Sequence, residues 1–436
     1  MKVESLKTKL NEYDRLVQIV CTSNPVLALC PTQRGEKRAP SFSHRVDSFE
    51  ATAQNNSGRC WIFSACNLLR IEMKKEIPNL PKTFELSQNF VFFFDKLEKA
   101  NLFLQNILET ADGQLDDRTV AHLLADPIPD GGNWRMFANI VEKYGIVSKN
   151  AYGETFMSDN TCILNEELKK LLVSSAQKIR NASDTKQKDT IINACMQGVR
   201  KLLVLSFGEP PTSFRLCYQV EEKKPEICSR KIWTPRSFAS KYVKLNNFVT
   251  FVHDPRNKRN CHYFVERLGN VYGQKSSFFN IDIETLQDLT VHAIKSKTGV
   301  WFGADASRHV NRVDGVFDEK QFNDVELFDV THKKSDFLTK ECRLLYRLSE
   351  ANHAMLFTGV NFDEENLINK FQIENSWGKG NGQAGYYSCT PQWFKDNVFQ
   401  IAVPKSIVPN PLLAKMKNKT CMRMLPIWDP IGCLAD

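Results

Sequence analysis

The chain has 436 residues, 42% of them hydrophobic and 29 of them Phe; that is apolar material for two or three globular units and too much for a disordered or low-complexity chain. Lys and Arg exceed Asp and Glu by 58 − 50 = 8, but the two signs are interleaved, as in Glu221-Glu222-Lys223-Lys224, so the one-sided basic face of a nucleic-acid binder is absent from the sequence. No run approaches the ~18 consecutive apolar residues of a membrane helix, which excludes a helical membrane protein.

The N-terminus, Met1-Lys2-Val3-Glu4-Ser5-Leu6-Lys7, mixes charge with apolar residues at helical spacing. It lacks the apolar core of a secretory signal, so a cytosolic protein is expected. From Cys60, the residues Ile62, Cys66, Leu69 and Met73 recur at helical spacing, with Gly58 ahead and Pro78 and Pro81 behind. This predicts a buried helix of about four turns that begins at Cys60. The run Phe90-Val91-Phe92-Phe93-Phe94, closed by Asp95 and Lys96, suits a core helix. Asn133 to Tyr144 sets Trp134, Phe137, Ile140, Val141 and Tyr144 on one stripe, and Gly145 stops it. Residues 163–205 predict two or three more helices, ended by Gly208-Glu209-Pro210-Pro211.

The second half is strand-rich, with runs at Val249–Val252, Gly299–Gly303, Ala354–Val360, Phe371–Glu374 and Tyr386–Cys389. A helical first half, a helical insertion and a strand-rich second half make an α+β protein. The tail from Leu425 to Asp436 holds two prolines and a glycine among apolar residues. It cannot be a helix, and it predicts an extended arm lying in a groove.

Thirteen cysteines, an odd number without a C-x-x-C pair, resemble neither a zinc framework nor a secreted disulfide scaffold, and apart from Cys60 they read as small buried hydrophobes. His253, Cys261 and His262 have a spacing that fits no common metal site. The sequons at Asn55, Asn181 and Asn418 are read as chance occurrences.

A thiol acts as a nucleophile only as thiolate, and a helix N-terminus beside an imidazole favours that form. Cys60 has the helix start. Gln54, six positions upstream, could join the Cys60 backbone N–H in donating to an oxyanion. Of eight His, His353 alone directly precedes an apolar strand, where it can face a cleft as a general base. Asn375, in Glu374-Asn375-Ser376-Trp377-Gly378-Lys379, follows another strand. It can bond the far imidazole nitrogen and fix the tautomer, with Trp377 shielding that bond from water.

With these motifs in this order, Q-x-x-S-G-R-C-W, N-H-A-M and E-N-S-W-G resemble the papain superfamily of cysteine peptidases, specifically its bleomycin hydrolase and aminopeptidase C branch. Phe92–Lys96, Asp130-Gly131-Gly132-Asn133-Trp134, Val141–Gly145, Val300–Gly303 and Trp428-Asp429-Pro430-Ile431-Gly432 extend the resemblance over nearly the whole chain. It implies a two-lobed papain-like fold: residues 1–150 with the nucleophile, a helical insertion at 151–240, a strand-rich lobe at 241–424 and a C-terminal arm at 425–436 in the cleft. It implies Cys60 as nucleophile, His353 as base, Asn375 as imidazole orienter and Gln54 as oxyanion donor. Gly131 and Gly132 would line the substrate cleft, with Asn352, Trp377, Ala435 and Asp436 also near substrate. A homohexameric aminopeptidase acting on peptides, with no metal or organic cofactor, is the activity implied. The tail departs from relatives in reading Cys433-Leu434-Ala435-Asp436, which leaves open whether Asp436 is removed and which group meets the substrate amine. Three other readings are weighed: a basic regulatory protein that binds nucleic acid weakly, an inactive scaffold of the same fold, and an endopeptidase.

Overall fold

The computed structural model describes residues 11–23, 41–47, 49–220, 225–319 and 338–432. Met1–Lys7, Glu221–Lys224, Ala435 and Asp436 lie outside the described residues. The helices are α1 (Glu12–Ser23), α2 (Cys60–Glu76), α3 (Gln88–Glu109), α4 (Arg118–Ala125), α5 (Trp134–Tyr144), α6 (Phe156–Asp159), α7 (Cys162–Asn181), α8 (Thr185–Phe207), α9 (Pro235–Tyr242), α10 (Ile283–Lys295), α11 (Lys340–Leu345), α12 (Pro391–Asn397) and α13 (Asn410–Lys417). Their starts follow capping chemistry: Ser87, Asp117, Asn133 and Asp184 each accept a backbone N–H of the first turn. Gly145 ends α5 at φ 84°, where a Cβ would meet the Pro235 carbonyl carbon at 2.2 Å.

The strands are β1 (His44–Arg45), β2 (Phe214–Tyr218), β3 (Ile227–Trp233), β4 (Phe248–Val252), β5 (His262–Val265), β6 (Ser277–Phe279), β7 (Val300–Ala304), β8 (Val310–Asn311), β9 (Val316–Phe317), β10 (His353–Phe362), β11 (Ile368–Glu374), β12 (Tyr386–Cys389), β13 (Val398–Pro404) and β14 (Met422–Leu425). The main sheet runs β4-β13-β7-β10-β11-β12-β9-β8, with β1 also on β10. Strand periodicity divides its side chains between two cores. Trp301, Ala354, Leu356 and Ala402 face α2 and the helical half, while Val300, Phe302, Met355, Phe357 and Ile401 pack with α10 and the helix Pro391–Asn397. The fold is α+β, as the sequence indicates.

Three expectations need correction. The 151–240 block is not purely helical, because β2 and β3 form an antiparallel pair after α8. The tail is not extended throughout: Leu425 ends β14, which pairs in parallel with β5 in a three-stranded sheet with β6. Beyond β14, Asp429 bonds Arg256, Trp428 lies under the Arg118 guanidinium, and Pro430–Gly432 makes a short 3-10 turn. The cysteines are also not uniformly buried hydrophobes. Cys217 pairs with Cys228 and Cys261 with Cys421, while Cys21 and Cys162 are exposed. The β14–β5 pairing and the Cys261–Cys421 disulfide both join segments 160 positions apart, a separation that local periodicity does not register. The set-aside metal group is spoken for: Cys261 is in a disulfide, His253 bonds the Ile281 carbonyl, and His262 bonds Ser277 and Met416. No helix among the described residues is long and apolar enough to cross a membrane.

Candidate active site

The site forms where the N-terminus of α2 meets the first residue of β10. α2 is buried along most of its length, and the Trp301 indole N–H donates to the Trp61 carbonyl at 3.2 Å, fastening the helix start to the sheet. Cys60, the first residue of α2, is fully buried, and its Sγ accepts the Ala354 N–H at 3.3 Å. Arg59 caps the helix without a side-chain bond to the first turn. The dipole of the helix start therefore favours negative charge at Cys60.

His353 lies one residue before Ala354 and pairs with Ala304 of β7. Its Nε2 is 2.9 Å from Asn375 Oδ1. The tautomer follows from the next contact. Asn375 Oδ1 also accepts the Ser376 N–H at 2.7 Å, and a backbone N–H can only donate, so the atom facing His353 is the oxygen. His353 Nε2 must then carry the proton, which leaves the Nδ1 lone pair as the basic site. Trp377 stacks on the imidazole with centroids 4.9 Å apart, and the Arg312 guanidinium lies over the indole. Burial pushes the His353 imidazole down to about 4; the Asn375 bond opposes this and the Arg312 charge adds to it. Such an imidazole is neutral at pH 7 and can accept a proton, though it titrates jointly with any thiolate beside it.

Gln54 reaches the same place from the other side. Its N–H donates to the Ser376 carbonyl at 2.8 Å, and its Oε1 accepts the Ser376 hydroxyl at 2.6 Å. That fixes the amide orientation and turns Nε2 toward the Ser57 carbonyl, 2.6 Å away. One amide N–H is engaged there. Cys60, His353, Asn375 and Gln54 are thus brought together, and the arrangement can hold a nucleophilic sulfur, a base and an oxyanion donor around one carbonyl.

The other predicted positions differ in detail. A Cβ on Gly132 would stand 2.4 Å from the Trp61 ring, so packing against Trp61 already requires glycine there. Gly131 gives its carbonyl to Lys99 Nζ at 2.6 Å. The Asn352 side chain is used structurally, accepting the Ala306 N–H and donating to Asp305. Ser376, Asp130, Arg59 and Arg70 were not singled out by sequence reasoning. Arg70 on α2 pairs with Glu374, the residue before Asn375, and both are buried. The available signal was a charge inside an apolar run, as in Leu68-Leu69-Arg70-Ile71, which implies a buried partner.

A cavity of about 580 Å³ lies beside the Ser57–Gly58 loop, walled by Ile128, Pro129, Asp130, Thr161 and Asn165. Neither Cys60 nor His353 is in its lining.

The peptidase C1-like family matches residues 2–432 of the chain. Aminopeptidase C of Listeria innocua serovar 6a is 37% identical over 403 residues, covering 91% of this chain and 89% of that protein. Bleomycin hydrolase of Homo sapiens is 33% identical over 455 residues, covering 100% and 98%. The crystal structure of PepW from Lactobacillus rhamnosis superposes with a TM-score of 0.86 at 33% identity, over 99% of this chain and 100% of that one.

Proposed function

The chain belongs to the peptidase C1-like family, and on that premise we propose that it is a papain-type cysteine aminopeptidase that removes the N-terminal residue of peptides, with Cys60 as nucleophile. The observation that carries the reading is the fixed His353 tautomer, Nε2 bonded to an Asn375 oxygen whose identity the Ser376 N–H dictates. In the acylation step His353 Nδ1 takes the thiol proton and sulfur attacks the first peptide carbonyl. The Cys60 N–H and Gln54 Nε2 stabilise the oxyanion. His353 then gives its proton to the leaving amine as the C–N bond breaks. In deacylation it takes a proton from water, whose oxygen attacks the thioester and releases the acid and the sulfur.

The exopeptidase character rests on the C-terminal arm. In this proposal β14 and the Arg256–Asp429 pair anchor it, and the chain beyond residue 432 enters the cleft so that its terminal carboxylate, on Ala435 or Asp436, meets the substrate ammonium. Assembly as a homohexamer belongs to the same proposal and rests on the family resemblance. We place the enzyme in the cytosol. Six cysteines among the described residues lie outside the two disulfides besides Cys60, two of them exposed, and suit a reducing compartment.

The test is hydrolysis of a fluorogenic aminoacyl amide and its N-acetylated twin by wild type, Cys60→Ala and a chain lacking the last four residues. The expected pattern is cleavage of the free-amine substrate alone, no activity in Cys60→Ala, and acceptance of the blocked substrate after truncation. Full activity in Cys60→Ala would end the catalytic reading. Blocked substrate cleaved by wild type would favour an endopeptidase.

A further inference from the structure

The backbone ahead of Cys60 is gripped from outside the catalytic group. Asn56 donates its N–H to the Asp159 carbonyl, its carbonyl accepts the Thr161 N–H, and its amide donates to Asn160 Oδ1. Arg59, fully buried, pairs with Glu154 at 2.7 Å and with Asp159 at 3.5 Å. All of these partners sit at the leading edge of the helical insertion, in residues 154–161. Asp130 stands at the centre. Its Oδ2 accepts the Gly58 N–H at 3.2 Å and the Thr161 hydroxyl at 2.5 Å. Its Oδ1 accepts Asn165 Nδ2 at 2.8 Å and pairs with Lys96 Nζ at 2.6 Å. Its carbonyl accepts the Trp61 indole N–H at 3.0 Å. Four donors on two oxygens is a task for a carboxylate, because an amide would turn two hydrogens of its own toward donors.

We propose that Asp130 is a positioning residue for the oxyanion donors: through Gly58 it ties the start of α2, and so the Cys60 N–H, to the segment leading into α5 and to Thr161 and Asn165 of the insertion. Gly58 is two residues from Cys60, and Trp61 follows it, so Asp130 holds the nucleophile's neighbours on both sides. A donor must stand within a few tenths of an ångström of the oxyanion to be effective. The insertion thereby acquires a part in the reaction without touching substrate. This inference rests on the acyl-transfer reading above.

The experiment compares wild type, Asp130→Asn and Thr161→Val, each normalised to active sites titrated with a thiol-reactive inhibitor. Three readouts are taken: kcat/KM on the free-amine substrate, the affinity of an aminoacyl aldehyde, and the rate of Cys60 alkylation by iodoacetamide. The hemithioacetal formed by the aldehyde needs the oxyanion donors, whereas alkylation needs only the thiolate. For Asp130→Asn, kcat/KM and aldehyde affinity should fall together by about tenfold or more, and for Thr161→Val by about threefold or more, on the scale of ~100–1,000-fold for losing a donor outright. Alkylation should stay within about twofold. A merely structural role would lower the melting temperature and the titratable fraction and leave the per-site values alone. That result in either variant overturns the proposal, and Thr161→Val decides if Asp130→Asn does not fold. If wild type itself hydrolyses nothing and Cys60 binds no aldehyde, the acyl-transfer reading falls and takes this proposal with it.

Discussion

The two halves of the site are held by different means. His353 and Asn375 sit at the ends of β10 and β11, whose antiparallel ladder runs from Leu356 opposite Glu374 to Phe362 opposite Ile368, and β10 is paired on its other side by β7. Their geometry is carried by many main-chain bonds, none of which depends on a particular side chain. Gln54 to Cys60 is a loop with Asn55 at φ 52°, and beyond a few main-chain bonds, to Ser376, Asp159 and Thr161, it is held by individual side chains: Ser376, Asp130, Arg59 and their partners. A ladder distributes its load, so one substitution lowers stability but leaves the surviving molecules correctly shaped. A side-chain-braced loop concentrates its load, so one substitution changes the shape of molecules that remain folded.

The largest effect expected on this contrast is at Arg70. Arg70→Met leaves Glu374, fully buried beside Asn375, without its cation. Burial already raises the Glu374 carboxyl against the opposing Arg70 charge. Urea denaturation should show a loss of about 3–5 kcal/mol, while activity per titrated site stays within about threefold of wild type because the ladder still places Asn375. A large per-site loss would break the contrast. Arg59→Met attacks the loop half and should do the reverse. Because Glu154 and Asp159 are partly exposed and can be hydrated, stability should fall by only about 1–3 kcal/mol, yet kcat/KM per site should drop by about tenfold.

The smallest effect is in acid. His353 and His253 are both pushed down by burial to about 4, His253 also by the nearby Lys340 charge. Folded values below the ordinary imidazole value of ~6.5 mean that the unfolded chain binds more protons between pH 6.5 and 4. Stability is therefore complete above that window and falls as the pH drops through it. Each histidine should contribute about 1.4 kcal/mol per pH unit there, so His253→Gln should make the urea midpoint less steep between pH 6 and 5. An unchanged slope would show that His253 is not held neutral.

The same contrast explains what could be read from sequence. The Cys60 helix, the helix stopped by Gly145 and the five strand runs all appear, because each is written in the period of adjacent residues. The candidate site was legible because the residues beside Cys60, His353 and Asn375 are themselves distinctive. The orienting of Asn375 by Ser376 was written in the motif and still missed, since it needs coordinates to show which atom faces which. Asp130, Lys96 and Thr161 meet across gaps of tens of residues, and β14 finds β5 across more than 150. No local pattern specifies such partners. The hairpin β2–β3 was hidden by its short, charge-bearing strands, with Arg215, Arg230 and Lys231 in them.

Trp61 and Gly132 show where such a molecule has no freedom left. The indole occupies the space that a β-carbon at 132 would need, and its N–H holds the carbonyl two residues earlier. The two positions behave as one character in two places. A chain exploring sequence space can add a side chain at 132 only where position 61 has given up its ring, so the two residues are inherited together.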